Sequence, residues 1–459
     1  MRPKKISRAM FIPHTKQDIE RMLEAIGCSS IDELYASATG MDPVDPGEIN
    51  VPPRRDIVKL SRHLTELAAK NSASRAACFC GGGAYDHFVH PAMDHLIART
   101  EFLTAYTPYQ SEVSQGTLQA IFEFQTMAAS LLGTDVANAS MYDGASAAAE
   151  AALMAGRVTC RKDILVSSAL HPEYRRTIES YLQAFGGEII RIPFDEKSGA
   201  TSPGEIEKLI NDNVAAVVMG YPNFLGVIED LEATAAVVHA SGALLVSSTS
   251  EGAALGLLEA PGRLGADIAV CEGLSLGLPM SYGGPGVGLF GCRRKHIKQI
   301  PGRLAGRTVD ADGNEAYVLT LAMREQHIRR ERATSNICTN QNLCALAVTI
   351  HLSLLGPEGF RKQAELCAGA ARTLVDGLAG IDALEPAFTG PFFNEVALRV
   401  KGTTPQQLVE RLAAKNMLVG PDLGRWYGSL GDCILVAVTE CASEEDIEAL
   451  VSAMKEILG

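Results

Sequence analysis

NVAAVVMGYPNFLGVIEDLEATAAVVHASGALLVSST, residues 213–249, decides the fold. An apolar run, Val214 to Met219, is short enough for a strand. A turn with Gly220, Pro222 and Gly226 follows. Leu231 to Ala240 then carries apolar residues at helical spacing, and Leu244 to Val246 starts a second strand. Strand, helix and strand in that order make a right-handed crossover between parallel neighbours. Continuous apolar strands need cover on both faces. The runs DILVSS (163–168), GEIIRIPF (187–194) and ADIAVCE (266–272) repeat the signal on either side, with helical stretches between. The expected fold class is α/β: a mostly parallel sheet covered by helices.

Outward from this centre the character changes. HTKQDIERMLEAIG (14–27) and SSIDELYASATG (29–40) each open on a capping residue and close on Gly, the signature of short helices. The stretch 41–56, MDPVDPGEINVPPRRD, reads as a linker. Beyond residue 325 a long helical stretch leads to NEVALRV (394–400), a helix after Thr404, MLVGPDLG (417–424), CILVAVT (433–439) and a final helix at 443–458. The expected division is an N-terminal helical arm and linker over 1–55, a large α/β domain over 56–325, and a smaller α+β domain over 326–459.

The chain has 459 residues, 47% apolar and 21% charged, with a net charge of -13. That balance argues against a nucleic-acid partner, which needs cations for its phosphates. No apolar run reads as a membrane span. The basic opening MRPKKISRAMFIPHT has no apolar core of a secretory signal. Eleven cysteines lie scattered, and the Cys78-x-Cys80 pair has no second pair at zinc spacing. Reduced thiols, no metal and a cytoplasmic location are the expectations.

Four stretches are long enough to carry kinship: AYTPYQSEVSQG (105–116), NASMYDGASA (138–147), LHPEYRRTI (170–178) and ATSNICTNQNLCALA (333–347). With them the chain resembles the P-proteins of the glycine cleavage system, nearly end to end, and most of all their α, subunit-1 branch. The resemblance implies the aspartate-aminotransferase-like fold type I of pyridoxal phosphate (PLP) enzymes. It implies a glycine dehydrogenase (decarboxylating), an oxidoreductase assembled as a heterotetramer with a PLP-bearing subunit 2. The family reaction decarboxylates glycine and passes the aminomethyl group to the lipoyl arm of H-protein.

Against that family, CEGLSLGLPMSYGGPGVG (271–288) lacks one residue. The catalytic half carries its cofactor lysine just before the Gly-rich segment. Counting from either side places that lysine at Leu274 or Ser275, and no lysine occurs between Lys208 and Lys295. The strand before it ends LLVSSTSE, with Ser247 or Ser248 where the family fold holds an Asp against the pyridine nitrogen; Glu251 is near but out of phase. The expectation is that no cofactor is anchored on this chain and that PLP belongs to the partner.

Candidate site residues follow from density and resemblance. The 104–116 loop holds Tyr106, Tyr109, Gln110, Glu112, Ser114 and Gln115 around Pro108. It reads either as the wall of a small charged substrate's site or as an ordered loop capping the helix from Gln115. Tyr85, Asp86 and His87 are its neighbours by family analogy. His171 falls where the catalytic half stacks a His on the cofactor ring. MYDGASA (141–147) reads either as a phosphate cup at a helix start or as a tight turn. GGPGVG (283–288) reads as close backbone packing. CGGGAYDH (80–87) is either mobile near a ligand or tightly packed. Arg-dense REQHIRRERATSN (324–336) either meets a carboxylate or forms a solvated helix face. With the anchor missing, the chain either completes the partner's active site or serves as a catalytically silent scaffold that docks H-protein.

Overall fold

In the computed structural model, residues 14–44, 50–321, 333–335, 337 and 339–459 are described. The basic opening at 1–13 and most of the Arg-dense 324–336 lie outside them. The chain forms two compact units, Met1–Asn71 and Ser72–Gly459.

The first unit holds helices α1 (Lys16–Ile26), α2 (Ile31–Thr39) and α3 (Ile57–Ala68). Thr15 and Asp18 close a reciprocal capping box on α1, and Gly27 ends it in the left-handed region at φ 75°. Ser30 caps α2, which ends on Gly40, and Asp56 caps α3. The local signals in the sequence set these boundaries.

The second unit contains the strands. They are β1 (Ala77–Cys80), β2 (Val136–Ala137), β3 (Asp163–Ser167), β4 (Ile189–Ile192), β5 (Val214–Gly220), β6 (Leu244–Thr249), β7 (Ile268–Glu272) and β8 (Gly288–Cys292). A hairpin of β9 (Leu304–Val309) and β10 (Glu315–Thr320) comes next, then β11 (Leu384–Pro386), β12 (Glu395–Val400), β13 (Met417–Gly420) and β14 (Cys433–Ala437). Its helices are α4 (Ala92–Ile97), α5 (Thr100–Leu103), α6 (Gln115–Leu132), α7 (Gly144–Thr159), α8 (Pro172–Leu182), α9 (Pro203–Leu209), α10 (Leu231–Ala240), α11 (Asn342–Leu378), α12 (Pro405–Ala413) and α13 (Glu444–Leu458).

A seven-stranded sheet runs β2-β8-β7-β6-β5-β3-β4. From β7 to β4 every neighbour pair is parallel, and β8 and β2 add antiparallel pairs at one edge. The period of two divides each strand between two cores. Ile164, Val166, Val218 and Val246 pack with the alanines of α7 on one face. Leu165, Val217, Met219 and Leu245 pack with Leu231 and Val238 of α10 on the other. Ala147 to Ala149, Ala151 and Ala152 of α7 are wholly buried, and their small side chains let that helix approach the sheet closely.

A smaller α+β layer has the sheet β11-β12-β14, all antiparallel, with α12 and α13 in its core. The molecule thus has the fold type I PLP-transferase arrangement: a large, mostly parallel sheet and a smaller α+β layer. One pairing had no local signal: β1 lies parallel to β13, with Ala77 opposite Met417. Among the described residues, α11 is long and apolar enough by composition to cross a bilayer. It breaks at Gly356 (φ 61°) before Pro357, and Ala345, Val348 and Phe360 pack into a core.

Candidate functional site

The C-terminal ends of β6 and β7 meet the turns that decide the chemistry, as in other open parallel sheets. β7 ends on Glu272, and the turn beyond it holds Leu274 and Ser275. Both are buried. Leu274 donates its N–H to Glu272 Oε1 at 2.9 Å, and Ser275 Oγ donates to Glu251 Oε2 at 3.1 Å. The two positions where the resemblance expects a lysine are therefore tied into a buried carboxylate network.

Glu251 caps the short turn after β6, accepting from Ala253 N at 2.8 Å. Its Oε2 also lies 3.3 Å from His87 Nε2, while His87 Nδ1 lies 2.8 Å from Glu440 Oε2. Glu440 accepts further from Phe88 N, Gln363 Nε2 and Cys367 Sγ. Burial alone favours a neutral His87; Glu251 outweighs it, with hydrogen bonds to Cys367, Glu251 and Glu440, and holds the pKa well above the usual imidazole range. Burial also works to raise the Glu440 pKa. His87, Phe88 N–H and Gln363 prevail and hold it at about 2. His87 is thus an imidazolium clamped between two carboxylates, a poor base at neutral pH. His87, Cys367 and Glu440 bring their ligand atoms within 4.8 Å of one another. Hydrogen bonds at 2.8 and 3.2 Å account for that cluster without an ion, and burial raises the Cys367 thiol pKa to about 11.

Tyr85 is equally committed. Its hydroxyl donates to Glu395 Oε2 at 3.0 Å, and Gly82 N donates to Oε1 of the same carboxylate at 2.6 Å. Burial pushes Glu395 up to about 7 and, with the Glu395 charge, raises the Tyr85 phenol well above its ordinary value. The glycine run before Tyr85 is a packing device. A Cβ on Gly81 would collide with the Glu395 carboxylate, and Gly83, at φ 101°, lies against His171 Nε2. His171 is structural as well: Nε2 lies 2.8 Å from Gly82 O, and Nδ1 accepts from Glu173 N at the start of α8. Burial lowers its pKa, so the ring is neutral. The carbonyl of Asp86 accepts from Thr439 Oγ1.

The 104–116 loop has different surroundings. Tyr106 is 72% exposed and Tyr109 66%. Gln110 and Glu112 are exposed too. Tyr106 Oη lies 3.1 Å from Thr339 Oγ1, and the Arg303 guanidinium sits 5.8 Å from the Tyr109 ring centre. Pro108 is buried. Gln115 starts α6 and is fully engaged, donating to Ser111 O and Tyr317 O and accepting from Tyr317 N. The structure therefore buries Tyr85 and His87 side by side, their ring centres 6.4 Å apart and each held by its own carboxyl partners, and leaves Tyr106, Tyr109, Gln110 and Glu112 in an exposed loop.

MYDGASA forms the turn into α7. Asp143 and Ser146 make a capping box, and Gly144 N donates to Glu272 Oε2 at 2.8 Å. GGPGVG approaches closely, since a Cβ on Gly288 would collide with Asp143 O. Sequence reasoning passed over Glu272, Glu395, Glu440 and Cys367. The available signal was an acidic residue at either end of an apolar strand run, in IAVCE and EVALRV.

The chain matches the family model described as glycine cleavage system P-protein over residues 9–454. It is 49% identical to the probable glycine dehydrogenase (decarboxylating) subunit 1 of Sorangium cellulosum, covering 97% of this chain and 98% of that one. It is similar to a crystal structure of glycine decarboxylase (P-protein) of the glycine cleavage system in inhibitor-bound form. That likeness has TM-score 0.87 at 42% identity, over 98% of this chain and 100% of the other. The sphingosine-1-phosphate lyase of Burkholderia pseudomallei shares the fold, with TM-score 0.65 at 15% identity, over 92% and 93% of the two chains.

Proposed function

Because the chain belongs to the glycine cleavage system P-protein family, we propose that it is the α subunit of a heteromeric glycine dehydrogenase (decarboxylating) and completes its partner's active site in trans. The observation that carries this reading is the turn after β7. Leu274 and Ser275 offer no amine there, and both are bound to buried carboxylates. The residues present do not fit a Schiff-base cofactor, because the position is filled by an internal network rather than an open cleft. We place PLP on subunit 2, whose cofactor supplies the electron sink for loss of CO2 from glycine. The aminomethyl group then passes to lipoylated H-protein. The assembly is a cytoplasmic heterotetramer.

This chain's share of the chemistry is positioning. Tyr85 and His87 hold the 80–88 segment rigid, since Tyr85 is locked by Glu395 and His87 by Glu251 and Glu440. The groups free to meet a neighbour are on the loop. Exposed Tyr106 and Tyr109, with 76% exposed Val113, make an aromatic and apolar edge of the kind a partner chain covers. Glu112 and Gln110 supply polar atoms beside it.

The test uses the co-expressed complex. Tyr106→Phe and Glu112→Gln should lower glycine decarboxylation about 100-fold, the scale of a lost positioned group. Elution volume and partner PLP absorbance should not change. Wild-type turnover in both variants, with saturating lipoyl carrier, means that the chain is a scaffold that docks H-protein.

A further inference from the structure

Helix α7 begins at Gly144, and its first N–H groups have no partner within the helix. A helix start also carries the positive end of the macrodipole, so it is a natural seat for an anion. In this chain the occupant of that seat is built in. Glu272 accepts from Gly144 N at 2.8 Å through Oε2, and from Leu274 N at 2.9 Å and Val287 N at 3.0 Å through Oε1. Three backbone donors from three separate segments thus converge on one carboxylate that is 7% exposed. The walls are cut to its size. A Cβ on Gly286 would stand 3.0 Å from both carboxylate oxygens, and one on Gly144 would stand 3.0 Å from the Glu272 Cβ. One strand away, at the end of β6, the hydroxyls of Ser247, Ser248 and Thr249 are buried with no hydrogen-bond partner. Buried hydroxyls left in that state are uncommon.

We propose that the Glu272 carboxyl holds the place of a phosphate group, and so sets this chain's refusal of phosphate-bearing cofactors. Its oxygens and those of a phosphate compete for the same N–H donors, and both cannot fit in so small a buried space. The exclusion therefore acts at the phosphate end, independently of the missing lysine. It rests on the proposed function only in that the cofactor lies on the partner, and its test reads binding rather than turnover.

Glu272→Ser removes the carboxylate and leaves the three N–H donors with a small hydroxyl beside them. Full-length wild type and E272S are titrated with millimolar inorganic phosphate at constant ionic strength, with chloride as the control anion. Thermal melting and ³¹P line width are read together. E272S should gain about 2 °C or more, saturably, with a broadened phosphate line. Wild type should match its chloride control. Glu272→Ala keeps the same three donors and serves if E272S does not fold. A folded E272S or E272A that ignores phosphate overturns the proposal. So does saturable phosphate binding by wild type, a measurement that needs no variant.

Discussion

At Glu440 one carboxylate serves His87, Phe88 N–H, Gln363 and Cys367 at once. Removing such a partner is costly, because His87, Gln363 and Cys367 stay buried after losing its hydrogen bonds. Glu440→Ala leaves the His87 cation with Glu251 alone and orphans the Phe88 N–H. It should reduce stability by about 3 kcal/mol, read from the midpoint and slope of urea unfolding. Glu440→Gln keeps an acceptor for Phe88 and should lose about half as much. A Glu440→Gln variant as stable as wild type would mean that packing volume and acceptor atoms, and not the charge facing His87, are what Glu440 supplies.

Among the elements, two glycines with similar φ do different work. Gly226, at φ 84° in the turn after β5, lies against the backbone of Glu395 at the start of β12, where a Cβ would collide with the carbonyl. Gly356, at φ 61° and ψ 177°, breaks α11 with nothing within 4 Å of its would-be Cβ. Gly356→Ala should cost only backbone strain, about 1–3 kcal/mol. Gly226→Ala bears the strain and also forces β12 away from the large sheet's loop. Melting temperatures should therefore rank wild type, then G356A, then G226A. G226A should also disturb the Glu395 site, so Tyr85 fluorescence or near-UV dichroism should change in that variant alone.

For the whole molecule, buried carboxyls set the response to pH. Burial pushes Glu229, Glu272 and Glu395 each up to about 7. An unfolded Glu titrates near about 4.3, so between those values the native state binds more protons. Stability from these groups is present at mildly acidic pH and is lost as pH rises through about 7. His87 acts in the same sense, since its pKa is also raised in the native state. Glu440, held at about 2, acts oppositely, and its share is lost as pH falls through the acid range. Melting temperature should therefore be higher at pH 6 than at pH 8. Relief of self-repulsion in a chain of net charge -13 adds to the trend. Glu395→Gln should flatten the slope. A melting temperature that climbs from pH 6 to pH 8 would show these carboxyls ionised in the native state.

Local patterns alone determine much of this protein. The capping residues Thr15, Ser30, Thr404 and Ser443 start helices where the sequence places them. The five apolar runs from residue 163 to 272 became the parallel strands, because strand period and crossover are written within short windows. The absence of a lysine at Leu274 and Ser275 is likewise plain from residue types. What the windows could not hold was pairing at long range. β1 finds β13, and Gln115, which reads as a site residue, spends its amide on the Tyr317 backbone. The buried carboxyls come from the end of β7, the start of β12, the segment after β14 and the turn after β6. Each reads in isolation as an ordinary acidic residue. Only folding brings them to Tyr85, His87 and the start of α7, where burial makes every hydrogen bond count and leaves no charge free to wander.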